Sequence, residues 1–114
     1  MKKKYLSLNE RTAYHSLEDV VGCKWSAGVI ASIHNGVRRP GELERYIPGI
    51  SKKILNERLR KLQAYRLIER HEIPDTVPHV EYTLTKVGKK LARLLDQLQQ
   101  LGMAHTDALK QDRL

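Results

Sequence analysis

From Ser51 to Tyr65 the sequence sets Leu55, Leu59 and Leu62 at i, i+4 and i+7, with Ile54 and Tyr65 flanking them. That spacing predicts an amphipathic α-helix of about four turns with a single apolar face. Ser51 is a good N-cap for it, because a side-chain oxygen there can accept from a free first-turn amide. Stepping 100° per residue places Lys52, Lys53, Asn56, Arg60 and Gln63 opposite the leucines. Arg58 projects beside the leucine stripe and is expected to be structural. A helix this cationic has to bury its leucines against neighbours, so its surroundings decide the fold.

Ahead of it, Pro40 opens a short segment whose Leu43, Tyr46 and Ile47 form one helical stripe, and Pro48-Gly49 ends that segment. After it come two β-prone runs, Leu67 to Ile73 and Val80 to Leu84, separated by a stretch containing Pro74, Asp75 and Pro78. They read as a hairpin with an irregular tip. Upstream, residues 14–21 predict a short helix closed by Gly22, and 25–34 a second one stopped by Asn35-Gly36. Thr85 is an N-cap candidate for a last helix over 85–105. Residues 1–13 read as a loose basic arm and 106–114 as a polar tail, so the folded domain spans 14–105. The predicted class is mainly α with a small β-hairpin. Two helices on a tight turn followed by a hairpin make a winged helix-turn-helix, here with a long C-terminal helix.

Charge favours a polyanionic partner. The 114 residues carry 21 Lys and Arg against 13 Asp and Glu, a net +8. The excess is concentrated: from Arg38 to Arg70 there are ten basic and four acidic residues, a net +6 over 33 residues. A local basic field of this kind suits counterion release from double-stranded DNA. In helix-turn-helix docking the first turn of the second helix meets base edges. Ser51, Lys52, Lys53 and Asn56 are therefore the expected base-edge residues, with Arg60 on phosphate. Arg38 and Arg39 are expected to clamp a flanking phosphate, and Thr76 and His79, near the hairpin tip, to touch sugar-phosphate.

The end of the chain points to a second partner. Leu84, Val87, Leu91, Leu94, Leu98 and Leu101 are spaced 3, 4, 3, 4, 3, an a/d seam held for nearly three heptads. So small a domain has little core left to cover it, which favours a homodimer. Two-fold proteins read pseudo-palindromic operators. From the residues alone the expectation is a homodimeric, sequence-specific DNA-binding protein. The alternative is a winged-helix protein-interaction module with no sequence-specific DNA binding.

Several local strings fit the same picture. Gly22-Cys23-Lys24-Trp25, Arg39-Pro40-Gly41-Glu42-Leu43, Ile47-Pro48-Gly49-Ile50-Ser51, Leu55 to Leu62, and Pro78 to Thr85 with Gly88 resemble the HxlR-type winged helix-turn-helix transcriptional regulators. The resemblance covers residues 14 to about 103. It implies a homodimer docked through the first helix, with Leu17, and the last helix, with Val87, Leu91, Leu94, Leu98 and Leu101. It also implies that the helix from Ser51 enters the major groove. Many members carry a sensory cysteine just ahead of the first helix, where this chain has Arg11-Thr12-Ala13-Tyr14.

No catalytic constellation, phosphate-cradling glycine loop or zinc-protease motif is present, so no enzyme is expected. The five histidines are scattered; His71 and His79 across the hairpin lack a third ligand, and neither a metal nor a cofactor is expected. The single cysteine, Cys23, excludes an internal disulfide. Cys23 beside Lys24 is a weak redox-sensor candidate, more consistent with a small residue at a helix junction; a small-molecule or redox effector is an open expectation. No membrane span or secretory signal is expected, which gives the cytoplasm as default compartment.

Overall fold

A computed structural model describes the backbone of residues 8–112 and the side chains of 15–111. The elements run α1 (Leu8–Val21), α2 (Lys24–His34), α3 (Pro40–Tyr46), α4 (Lys52–Ala64), β1 (Ile68–Ile73), β2 (His79–Leu84) and α5 (Lys86–Asp112). The winged helix-turn-helix is present as read, with three differences at the ends. The first helix begins at Leu8, so residues 8–13 are not a loose arm; the rest of that expected arm lies outside the described residues. The last helix runs on to Asp112, through most of the expected polar tail. Leu84, taken as the first seam residue, ends β2 instead.

Val29, Ile30 and Ile33 of α2 form the centre of the core, where they meet Leu43, Leu55, Leu59 and Leu62 from the two following helices. Leu67, Ile68 and Tyr82 close it from the hairpin, Leu91 and Ala92 from α5, and Val20 from α1. The turn between α3 and α4 needs Gly49, whose φ of +80° is open to glycine at no steric cost. Leu55, Leu59 and Leu62 are each no more than 2% exposed, so the predicted stripe is sealed. Arg58 is half-buried beside it, as expected, with its Nε buried and without a hydrogen-bond partner among the described residues.

The exit from α4 sets the position of everything that follows. The amide of Leu67 donates to the Leu62 carbonyl at 3.0 Å and that of Arg66 to Gln63 at 2.9 Å, a Schellman cap. The left-handed residue of this cap is Arg66, at φ +58°, where glycine is usual. β1 and β2 then pair antiparallel from Ile68 opposite Leu84 to Ile73 opposite His79, leaving 74–78 as the tip. The segment ahead of α3 is tied to the hairpin by one bond, the Tyr82 amide donating to the Arg38 carbonyl at 2.8 Å. α5 enters against the same corner: Thr85 Oγ1 accepts from the Gly88 amide at 3.1 Å and donates to the Arg66 carbonyl at 2.8 Å. A Cβ on Gly88 would collide with the Leu67 carbonyl oxygen, so this approach requires glycine.

Candidate nucleic-acid interface

The first turn of α4 is stitched as the sequence predicts. Ser51 Oγ accepts from the Ile54 amide at 3.1 Å, which commits that oxygen to capping the helix. Lys52, Lys53, Asn56 and Arg60 are all exposed, Lys53 and Arg60 farthest round the helix from the leucines and Lys52 nearest their edge. None of the three cations forms an ion pair among the described residues; Arg60 Nε makes a long contact of 3.5 Å to the carbonyl of Asn56. The Asn56 amide has no side-chain hydrogen bond there. A helix end offering free amides, two lysines and an unengaged amide side chain suits a groove edge.

Other cations are committed internally. Lys61 Nζ lies 2.8 Å from Asp19 Oδ2, and Tyr65 Oη donates to the same oxygen at 2.7 Å. The Lys61 ammonium, then the Tyr65 hydroxyl, hold the Asp19 carboxyl below its ordinary range. This triad ties α1 to α4 and was not anticipated. The i, i+4 spacing of Lys61 and Tyr65 signals a shared face, but nothing local links them to an acid 42 residues before Lys61. Arg70 pairs with Glu72 at 2.8 Å.

The wing carries its two candidates differently. Thr76 is exposed at the tip, beside Asp75, whose carboxylate accepts the Thr76 amide at 2.8 Å. His79, by contrast, is engaged: Nε2 lies 2.8 Å from Glu81 Oε2 and Nδ1 lies 3.1 Å from the Val77 carbonyl. Both partners are acceptors, so only the imidazolium satisfies both. The Glu81 carboxylate, then the Val77 carbonyl, raise the His79 pKa, and His79 in turn lowers that of Glu81. The His71–His79 pair considered from the sequence is absent: His71 meets Thr83 Oγ1 at 2.8 Å. Among the described residues no three His, Cys, Asp or Glu are gathered as a metal site requires.

Arg38 and Arg39, expected to work together, have different neighbours, although the charges of both help hold the Glu81 carboxyl down. Arg39 lies 3.7 Å from Glu42 at the start of α3, while Arg38 lines a cavity with Thr83, Lys89 and Arg93. Cys23 is half-buried at the N-cap position of α2 with no side-chain capping bond, followed by Lys24, whose ammonium lies 4.5 Å from the Trp25 ring centroid.

The expected seam on α5 divides. Leu91 is 5% exposed and belongs to the domain's own core, so it does not serve a dimer interface. Gly88, Leu91 and Ala92 form the helix stripe facing inward, and the 3.6-residue turn carries the remaining apolar positions round to the outside. Val87, Leu94, Leu98 and Leu101 are 50–66% exposed. Leu17 is half-buried and packs on the core. No helix among the described residues is long and apolar enough to cross a membrane.

Known proteins share this arrangement. The HxlR-like helix-turn-helix family matches residues 20–110. The HTH-type transcriptional regulator YtcD of Bacillus subtilis is 34% identical over 111 residues, spanning 97% of this chain and 84% of that one. YkvN of the same organism, likewise described as an HTH-type transcriptional regulator, is 39% identical over 85 residues, 75% of this chain and 72% of its own. A solved structure from Enterococcus faecalis, described as a transcriptional regulator of the MarR family, superposes with a TM-score of 0.74 at 30% identity, covering 98% of this chain and all of that one. With the cationic helix, its tight turn and the wing all in place, this chain belongs to the HxlR-like helix-turn-helix family.

Proposed function

We propose that this DNA-binding transcriptional regulator acts in the cytoplasm as a homodimer on pseudo-palindromic operator DNA and catalyses no reaction. The observation that carries the reading is the unengaged polar face of α4. Lys52, Lys53, Asn56 and Arg60 stand exposed with no acidic partner among the described residues, whereas Lys61 and Arg70 are paired. Asn56 is the base reader, its amide suited to a bidentate pair with an adenine edge; Lys52 and Lys53 meet guanine edges or phosphate. Ser51 contributes through the first-turn amides that its cap organises. Arg60 and Arg39 hold phosphates, and Thr76 reaches the sugar-phosphate backbone from the wing. His79 contributes there only by leaving Glu81.

The dimer reading is supported by the far half of α5. From Asp96 to Gln111 every residue is exposed, and Leu98, Leu101, Met103 and Leu109 lie on that stretch. An overhang of this length is marginal as an isolated helix in water, so a second copy covering Leu94, Leu98 and Leu101 accounts for its persistence.

The test separates reading from anchoring. Asn56→Ala should cost about 1–3 kcal/mol on the preferred duplex and much less on random DNA. Arg60→Ala should weaken both alike and reduce the salt slope by about one. Binding isotherms on both duplexes at several salt concentrations decide it. Equal weakening of both duplexes by Asn56→Ala overturns the placement of α4, and binding without a steep salt dependence favours the protein-interaction module.

A further inference from the structure

Away from the α4 first turn and the wing tip, the domain holds a cavity of about 330 Å³. Its apolar floor is Ile33, at the end of α2, and Leu84, at the end of β2. Around that floor converge Arg38 from the segment tied to β2, and Lys89 and Arg93 from α5, with His34 at the rim. No carboxylate lines it. Glu81 is close enough for the Arg38 charge to help hold its carboxyl down, but its hydrogen bond goes to His79 at 2.8 Å, and Asp96 accepts from the Gln100 amide at 3.0 Å.

This arrangement has an electrostatic cost. Lys89 and Arg93 are four apart on one helix face, where like charges repel, and Arg38 adds a third charge from another element. None of the three forms an ion pair among the described residues. The carbonyls ending α2 do little to offset them, being capped: the Asn35 amide donates to Ala31, that of Gly36 to Ile33 and that of Val37 to Ser32. Converging cations over an apolar floor focus a positive potential into a concave site. Two guanidinium forks and an ammonium suit carboxylate or phosphate oxygens.

Location argues against DNA as the occupant. Thr83, at the cavity wall, is four residues along β2 from His79, which closes the tip, a distance of about 13 Å. At 100° per residue, Lys89 and Arg93 lie about 100° or more around α5 from Leu94 and Leu98, and Leu101, about 80° round from Arg93, lies some two turns farther along, so the exposed leucines leave the opening free. The volume is at the small end of ligand sites. We propose that this cavity binds a small metabolite carrying two or three anionic groups, carboxylate or phosphate, with Arg38, Lys89 and Arg93 as its ligands.

The experiment is calorimetric titration of the full chain with citrate, inorganic pyrophosphate and, as a monovalent control, acetate, at matched ionic strength. Saturable binding of citrate or pyrophosphate at one per chain is expected, with acetate silent; whichever binds assigns the carboxylate or the phosphate class. The variant Lys89→Gln/Arg93→Gln should lose at least tenfold in that affinity while its DNA affinity and salt slope stay unchanged. Both positions are exposed, and circular dichroism checks the fold; Lys89→Gln alone, expected to lose affinity in the same direction, serves if the double variant fails it. Absence of saturable binding of both polyanions, or equal binding by the variants, overturns the proposal. So does a loss of salt slope on DNA in variants of a protein that binds neither probe, which would make the cavity a phosphate contact.

Discussion

On α4, Leu55, Leu59 and Leu62 are all sealed inside their own domain; on α5, Leu91 is sealed while Leu94, Leu98 and Leu101 stand at least half exposed. In the sequence the two stripes look alike. Periodicity shows that a helix has an apolar face, but not whose apolar surface covers it. What distinguishes the two helices is supply: α2, α3 and the hairpin all converge on α4, whereas α5 outruns the domain that its first turns help to close. The polar faces differ in the same sense, α4 leaving its first-turn lysines free and α5 bringing Lys89 and Arg93 to a shared cavity.

The sharpest way to break this comparison is to place a charge at each kind of position. Leu91→Asp buries a carboxylate among Ile30 and its neighbours and should cost about 4–5 kcal/mol, most of the stability of a small domain. Leu94→Asp with Leu98→Asp should convert dimers to monomers with loss of operator binding, and should fray the far half of α5, a partial loss of helical signal, while the domain core stays folded. Thermal melts by circular dichroism and sedimentation together read both outcomes. If Leu91→Asp folds normally, or if the wild type is already monomeric at micromolar concentration, α5 does not divide its stripe as described.

The corner joining the two helices gives the next largest effects. Gly88→Ala drives a methyl into the Leu67 carbonyl and should destabilise by about 1–3 kcal/mol, read as a lower urea midpoint. Arg66→Gly acts the other way at the end of α4. It relieves the left-handed backbone at φ +58° and, after the larger unfolded-state freedom of glycine, should stabilise by about 0.5 kcal/mol. Opposite signs at two residues of one corner would show that α5 is positioned by the α4 cap; a destabilising Arg66→Gly would mean that the Arg66 side chain matters more than its backbone.

The same contrast explains what could be read without the structure. The stripe of α4, its serine cap, the Pro48-Gly49 turn and the hairpin were legible because each is a local pattern with a local cause. Leu91 was misassigned because a seam spaced 3, 4, 3 fits a coiled coil and a half-buried helix equally well. The Asp19–Lys61–Tyr65 triad and the different neighbours of Arg38 and Arg39 depend on elements distant in sequence, and no spacing encodes them. His79, expected on sugar-phosphate, is engaged instead by Glu81, two residues on along the same strand, and that spacing alone does not tell whether the two side chains meet.

That pair supplies the smallest effect and a test of whether the wing, unlike the first turn of α4, is held from within. The pKa of His79 is raised above its ordinary 6.5 by Glu81 and the Val77 carbonyl, so its contribution to stability is complete below that value and is lost as pH rises through the folded pKa. The pKa of Glu81 is lowered from its ordinary 4.5 by His79, so its contribution is present above that value and is lost as pH falls through its folded pKa. The two overlap between about pH 4.5 and 6.5. Glu81→Gln should therefore lower the melting temperature most near pH 5.5 and least near pH 8, and should bring the His79 titration, followed by NMR, down toward its ordinary value. Arg39, also near His79, opposes its protonation, so Arg39→Gln should move the same titration upward. Glu81→Gln also removes a negative charge from the wing, so it should bind DNA slightly more tightly than the wild type at both pH 6 and pH 8. If the His79 titration is the same in both proteins, the wing histidine is not held by Glu81 in solution and is as free for DNA as Asn56.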